Sequence, residues 1–465
     1  MGSFYRSNLF RQIFLVLLLS IPFFSHALTS KTSNVIYGSV PYLTFDGGQT
    51  RAVNTDGLLG ITLSNGIQYT PSTNISSITP IELPAVGQSF TDIGMMLPVD
   101  TNSASLSTLI GSPYNFWGDD DGDGDISATG SLSLSIVDRD NQSVSRETVL
   151  TMCNAPYQIK LTSTEGTLMT RYGLPRSSHF NASDVTYFVN PKASPVICFA
   201  KPNLHVGNLN EDGKSHDFRG SALIWDPDKG FLTQSATPSS YNLNFPTTGA
   251  DGLYFDLDIG GSNQALFWAP VSHSGITATM TDSSPTSVRV TLSGPVATSS
   301  QWSSDNPGSV PRPALPQTFE LVGRDSEGND VVKYGFVLKQ WFVNRGHVNK
   351  ILSNQIAWCD DIGYRLPAVK DLTNASCRGT NSGSHCQGSV GATPASPSNF
   401  YQRSIGAGFF TEWGYLYQHS GGSFRGAWYW TSDRHASGQF VVNSHYGNIF
   451  WNDPNLPPFG MCVTD

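Results

Sequence analysis

Residues 353–374 read SNQIAWCDDIGYRLPAVKDLTN, and this stretch decides the fold of the last third of the chain. It predicts two short helices with a tight turn between them. Ser353 suits an N-cap, because its hydroxyl can accept from a backbone N–H that the helix leaves unpaired. Ile356, Cys359 and Ile362 recur at a spacing of three and give one apolar face. Gly363 fits the left-handed position just past a helix end. Pro367 falls at the first turn of the second helix, where its missing N–H costs nothing. Val369 and Leu372 supply that helix with a short inward face.

Outward from these helices the sequence is dense in aromatics and glycine, and it ends soon after a cysteine, Cys462. A helix carrying a cysteine, a second helix, a long irregular stretch and a terminal cysteine outline a C-type-lectin-like domain. The stretch from Trp358 to Asn374, with Phe409-Phe410-Thr411-Glu412-Trp413-Gly414 and Trp428-Tyr429-Trp430-Thr431-Ser432, resembles the adhesion domain of enterobacterial invasin-type proteins, which are related to the invasins and intimins. The resemblance continues upstream through Trp117-Gly118-Asp119-Asp120-Asp121-Gly122-Asp123-Gly124-Asp125, Ile136-Val137-Asp138-Arg139-Asp140 and Phe319-Glu320-Leu321-Val322-Gly323-Arg324-Asp325, and so covers most of the chain. It implies adhesion and carries over no catalytic residue. Full-length invasins and intimins have an outer-membrane β-barrel ahead of these domains, and this sequence has no room for one.

The N-terminus predicts an export signal over 1–27. Arg6 and Arg11 make a basic start, Ile13 to Phe24 is mostly apolar, and Ser25-His26-Ala27 offers small residues for cleavage. Twelve apolar residues are too few for a membrane-spanning helix, which needs about 20. No later segment is long and apolar enough, so no transmembrane segment is expected in the mature chain. The chain carries 27 basic and 36 acidic residues, a net charge of −9. It has no basic stripe for nucleic acid and no polybasic run for an anionic membrane. Sparse charge with many Ser, Thr, Asn and Gly suits an extracellular β-rich protein.

The body before residue 330 predicts antiparallel β. Leu132, Leu134 and Ile136 alternate with serines, which puts one face in a core and the other in water. Ser143 to Leu150 is expected to return as the paired strand. Ile276, Ala278 and Met280, then Val288, Val290 and Leu292, repeat the pattern. Short strands divided by Gly, Pro, Asn and Asp turns suggest immunoglobulin-like sandwiches. Thr298 to Gln317 reads as a linker or long loop. The expected organisation is therefore a signal peptide over 1–27, a β-rich domain with an acidic loop over 28–150, a β-sandwich-like domain over 151–330, and an α+β lectin-like domain over 331–465.

Six cysteines in an exported chain predict disulfides, with fifteen pairings open in principle. The lectin-like outline and the cysteine order favour Cys359 with Cys462, Cys377 with Cys386, and Cys153 with Cys198. The rival is a zinc site at Cys377, His385 and Cys386. Asp119, Asp121, Asp123 and Asp125 have the alternate-carboxylate rhythm of a calcium loop, with Gly124 for the turn, although the closing Glu is absent. Calcium is the one cofactor this suggests. No nucleophile elbow, metalloprotease helix or phosphate loop is present. Glu412 and Asp433 can be imagined as a glycosidase pair, but nothing sets their separation, and Glu412 beside Trp413 reads rather as a hydrogen-bonding residue within the lectin-like core.

Two functions follow. One is a secreted or surface-exposed adhesin that binds a host-cell surface protein or glycan. The other is a secreted carbohydrate-active enzyme with β-sandwich modules. For the adhesin, the loop aromatics Tyr415, Tyr417, His419, Phe424 and Tyr446 are the expected receptor contacts, because such side chains give large contact area at low entropic cost.

Overall fold

A computed structural model describes residues 37–464 apart from 123, 215, 420 and 422. The expected signal segment 1–27 lies outside the described residues. The chain is mainly β. Its described residues divide into two compact units, one of 37–60, 95–133 and 161–184, the other of 61–94, 134–160 and 185–464. The chain passes between them within the strands Ser131–Val137, Tyr157–Ser163 and Ser183–Asn190. Among the described residues, no helix is long and apolar enough to cross a membrane.

In the first unit, Tyr42–Leu43 pairs with Trp117–Gly118. A three-stranded sheet places Gly166–Met169 between Ser177–Phe180 and Ser127–Thr129. Leu43, Leu58, Leu106, Leu109, Leu168 and Phe180 are buried here. The acidic loop joins Trp117–Gly118 to Ser127–Thr129.

The second unit holds a sandwich and a mixed sheet. Seven antiparallel strands include Val196–Lys201, Tyr254–Gly260, Ser287–Ser293 and Ile276–Thr281. Against them lies a sheet built on the hairpin Gln317–Arg324 and Asp330–Leu338. The two faces meet through Phe255, whose ring centroid is 6.0 Å from that of Phe336, with Phe319 stacked on Phe336 at 5.2 Å. Val288, Val290 and Leu292 point into this core, as period-two alternation requires. The mixed sheet runs Thr248–Ala250, Gln340–Asn349, Phe459–Val463, Trp428–His435, Gly438–Asn443, Ile449–Asn452. Its first pair is parallel and joins a segment of the sandwich region to the C-terminal region.

Three expectations need correction. Residues 143–150 form no strand; only Val144 N–H returns, to the Ile136 carbonyl. The 298–317 segment is the long loop of the two readings, not a free linker. It begins with a capped helical turn, Ser299–Ser303, and then laces into the core through buried Val310, whose N–H donates to Ile362. The zinc reading fails because Cys377 and Cys386 are joined to each other. The other two bonds are Cys153–Cys198 and Cys359–Cys462.

The helix of the quoted stretch spans Leu352–Asp361 with Ile351, not Ser353, at its N-cap. A tertiary partner replaces the cap: Leu352 N–H donates to the Pro454 carbonyl at 3.0 Å. Its buried face is Gln355, Trp358 and Cys359, while Ile356 is 40% exposed. Gln355 belongs inside because its amide oxygen accepts from Arg345 at 3.0 Å. Gly363 has φ +85°, the left-handed turn expected of it. The second helix is one turn, Val369–Leu372. Asp371 caps it, accepting from Ala368 N–H at 2.8 Å, and is held by Arg365 at 2.6 Å.

Candidate functional site

Two buried ionisable side chains fix the frame of the C-terminal surface. Glu412 lies in the helix Phe409–Trp413 with no exposure. Its carboxylate accepts from five donors: the N–H and hydroxyl of Thr247, the N–H and hydroxyl of Thr248, and Gly406 N–H. Burial pushes its pKa up, and those donors pull against the rise. Arg403 has no exposure either. Its guanidinium donates to four backbone carbonyls, those of Asn203, His205, Val206 and Glu412. It lies 4.6 Å from the Trp225 ring centroid. Gly414 sits against it at φ +69°, where any Cβ would strike the guanidinium. Glu412 is thus spent on structure, as is Asp433, which accepts from Val369 N–H at 2.6 Å. Glu412 is enclosed, whereas Asp433 is half-buried.

This frame supports a stacked aromatic surface. Tyr415 stacks on His445 at 4.0 Å, and His445 on Tyr446 at 4.1 Å, with interplanar angles of 18° and 10°. Tyr417 adjoins Tyr415 at 5.9 Å and is 53% exposed. His205 lies 5.5 Å from Tyr415 and 5.8 Å from His445. Beneath them, Tyr446 rests on buried Phe218 at 5.7 Å. Burial and the neighbouring His205 push the His445 pKa down, against the pull of Glu211.

Of the five residues singled out from sequence, Tyr415, Tyr417 and Tyr446 come together here. His419 and Phe424 turn inward, at 2% and 4% exposure. His205 and His445 were missed. His445 carried a weak local signal, being next to Tyr446 in a Gly- and Ser-rich loop. His205 carried none. It reaches the surface because Arg403 holds its loop, and because Asn203 donates to the Tyr415 carbonyl across 212 residues.

The acidic loop lies within the first unit. Asp119 and Asp121 converge on Ser39: its hydroxyl donates to Asp119 at 3.1 Å, and its N–H to Asp121 at 2.9 Å. Burial and the nearby Asp121 carboxylate push the Asp119 pKa up. One Asp119 carboxylate oxygen is buried without a hydrogen-bond partner. Asp125 is paired with Arg171 at 2.8 Å, and Asp123 lies outside the described residues. Among the described residues, no group of three or more His, Cys, Asp or Glu is placed to hold a metal. Among the described residues, Asp119 and Asp121 are the loop carboxylates that converge on one group, Ser39.

No protein-family model matches the chain, and neither does any curated protein. Similar solved structures exist. Invasin, described as a bacterial integrin-binding protein, aligns with 74% of this chain at 13% identity and a TM-score of 0.34. The aligned part spans 52% of that chain, about half its length. A C-terminal 282-residue fragment of intimin, solved with the intimin-binding domain of the translocated intimin receptor, aligns with 74% of this chain and 100% of its own, at 12% identity and a TM-score of 0.30. An intimin mutant from EHEC O157:H7 aligns with 47% of this chain and 88% of its own, at 13% identity and a TM-score of 0.26.

Proposed function

We propose that this chain is an exported bacterial adhesin, secreted or held at the cell surface, which binds a host-cell surface protein or glycan without catalysis. The observation that carries the reading is the stack of Tyr415, His445 and Tyr446 with Tyr417 and His205 at its margin. Ordered surface aromatics offer contact area without the entropic loss of fixing flexible chains, and they recur as binding hot spots. The organisation we propose keeps the segments 28–150, 151–330 and 331–465, with the contact surface on the last apart from His205, which joins it from 151–330. Nothing favours a carbohydrate-active enzyme, since Glu412 is enclosed and fully engaged.

The test uses the whole chain on host cells and on a glycan array. Tyr417→Ala should weaken binding at least tenfold and leave the melting temperature unchanged, because the side chain is half exposed. Phe424→Ala should instead lower stability, because that ring is buried. Full binding by a folded Tyr417→Ala protein would move the contact surface elsewhere.

We also propose calcium at Asp119 and Asp121, because two converging carboxylates with an orphan oxygen are relieved by a hard cation. Calcium should then raise the melting temperature, and Asp119→Ala with Asp121→Ala should remove that rise. Identical melting in calcium and in chelator would leave the loop as a solvated turn.

A further inference from the structure

His419 is a buried histidine that the proposed function does not use. Its ring packs edge-on against Tyr254 at 4.9 Å and Trp413 at 5.8 Å. Among the described residues, neither ring nitrogen has a hydrogen-bond partner. Such a group is tolerated when neutral and is costly when charged. The charges around it also disfavour the cation. Arg403 and Arg289 both act against protonation, and only a backbone group of Trp413 favours it. The carboxylates of the surrounding elements are engaged elsewhere: Asp256 with Arg289, Glu412 with Thr247 and Thr248, and Asp251 with Gly294 N–H.

His419 directly follows the turn Leu416–Gln418, which carries Tyr417 and is preceded by Tyr415. Resting on the proposed role of those tyrosines, we infer that His419 is a proton-driven latch: at neutral pH it locks the Tyr415–His419 segment, and on acidification its protonation opens that segment and disperses the contact surface.

The pH window follows from linkage. Burial, then Arg403, lowers the His419 pKa from 6.5 to about 4. A histidine held neutral in the closed state stabilises that state fully above 6.5. The stabilisation is lost as pH falls from 6.5 toward 4. At pH 5 the open population should rise roughly 20-fold over its value at pH 7.

The experiment compares the whole chain with His419→Phe, which fills the same apolar site and cannot take a proton. Backbone amide exchange at residues 415–418 is read at pH 7 and pH 5. The ratio between the two proteins at each pH cancels the intrinsic exchange rates. The wild type should exchange roughly 20-fold faster than His419→Phe at pH 5, relative to their ratio at pH 7. Equal acceleration in both proteins, or none in either, overturns the latch. If His419→Phe does not fold, an NMR titration of wild-type His419 decides instead, since a ring pKa near 6.5 is incompatible with the latch. Host-cell binding at pH 7 and pH 5 is measured in parallel. Absent binding at pH 7 refutes the adhesin reading, while exchange still scores the latch.

Discussion

At the residue scale, the enclosed charges dominate. Glu412 meets five donors and Arg403 meets four carbonyls, so each is satisfied by backbone or hydroxyl groups rather than by a matching charge. Removing one partner of a buried charged hydrogen bond leaves desolvated groups unpaired. Glu412→Gln replaces an acceptor oxygen with an NH₂ that faces donors, and should cost about 2–4 kcal/mol in urea unfolding. Arg403→Lys should cost a similar amount, because an ammonium cannot reproduce a planar fork spread over four carbonyls. Stability unchanged in either variant would show that the enclosed charges are not what fixes this region. The role of Arg403 was not legible locally, and that of Glu412 only in outline. Glu412 beside Trp413 suggested a hydrogen-bonding core residue, but four of its five donors lie 164 and 165 positions away.

At the element scale, the helix Leu352–Asp361 is tied to the last strand through Cys359 and Cys462, 103 residues apart. Loop-closure entropy for that separation is about 4–5 kcal/mol. Cys359→Ala with Cys462→Ala should lose about that much, read from the denaturant midpoint at constant m. The one-turn helix Val369–Leu372 depends on Asp371. Burial raises the Asp371 pKa, but Arg365, Gln340 and the Ala368 N–H outweigh burial and hold it below the usual carboxylate value of 3.8. A depressed carboxylate contributes stability above its unfolded pKa and loses it as pH falls through the folded one. The acid-unfolding curve of Asp371→Asn should therefore differ from wild type above pH 3.8 and converge on it below. A gap that persists at pH 2 would assign Asp371 a role other than its charge.

At the whole-molecule scale, residues 331–465 do not carry their own support. Glu412 needs Thr247 and Thr248, Arg403 needs the 203–206 loop, and Gln340–Asn349 pairs in parallel with Thr248–Ala250. One hydrophobic core runs from Ile197 to Val463. A fragment of 331–465 is expected to melt without a cooperative transition, whereas the whole chain melts cooperatively. Circular dichroism melts of the two proteins check this. A sharp transition in the fragment would show that the upstream segments only decorate it.

The sequence by itself determined the mainly β class, because period-two patterns such as Val288, Val290 and Leu292 depend only on neighbours along the chain. It also determined the helix at the quoted stretch and the left-handed turn at Gly363, which are local in the same sense. Only the tertiary structure decided where that helix begins, since Pro454 and not Ser353 satisfies its first N–H. Only the tertiary structure turned His419 and Phe424 inward and brought His205 beside Tyr415. Burial and cross-chain hydrogen bonding depend on partners roughly a hundred or more residues away, and no local pattern encodes which partners those are.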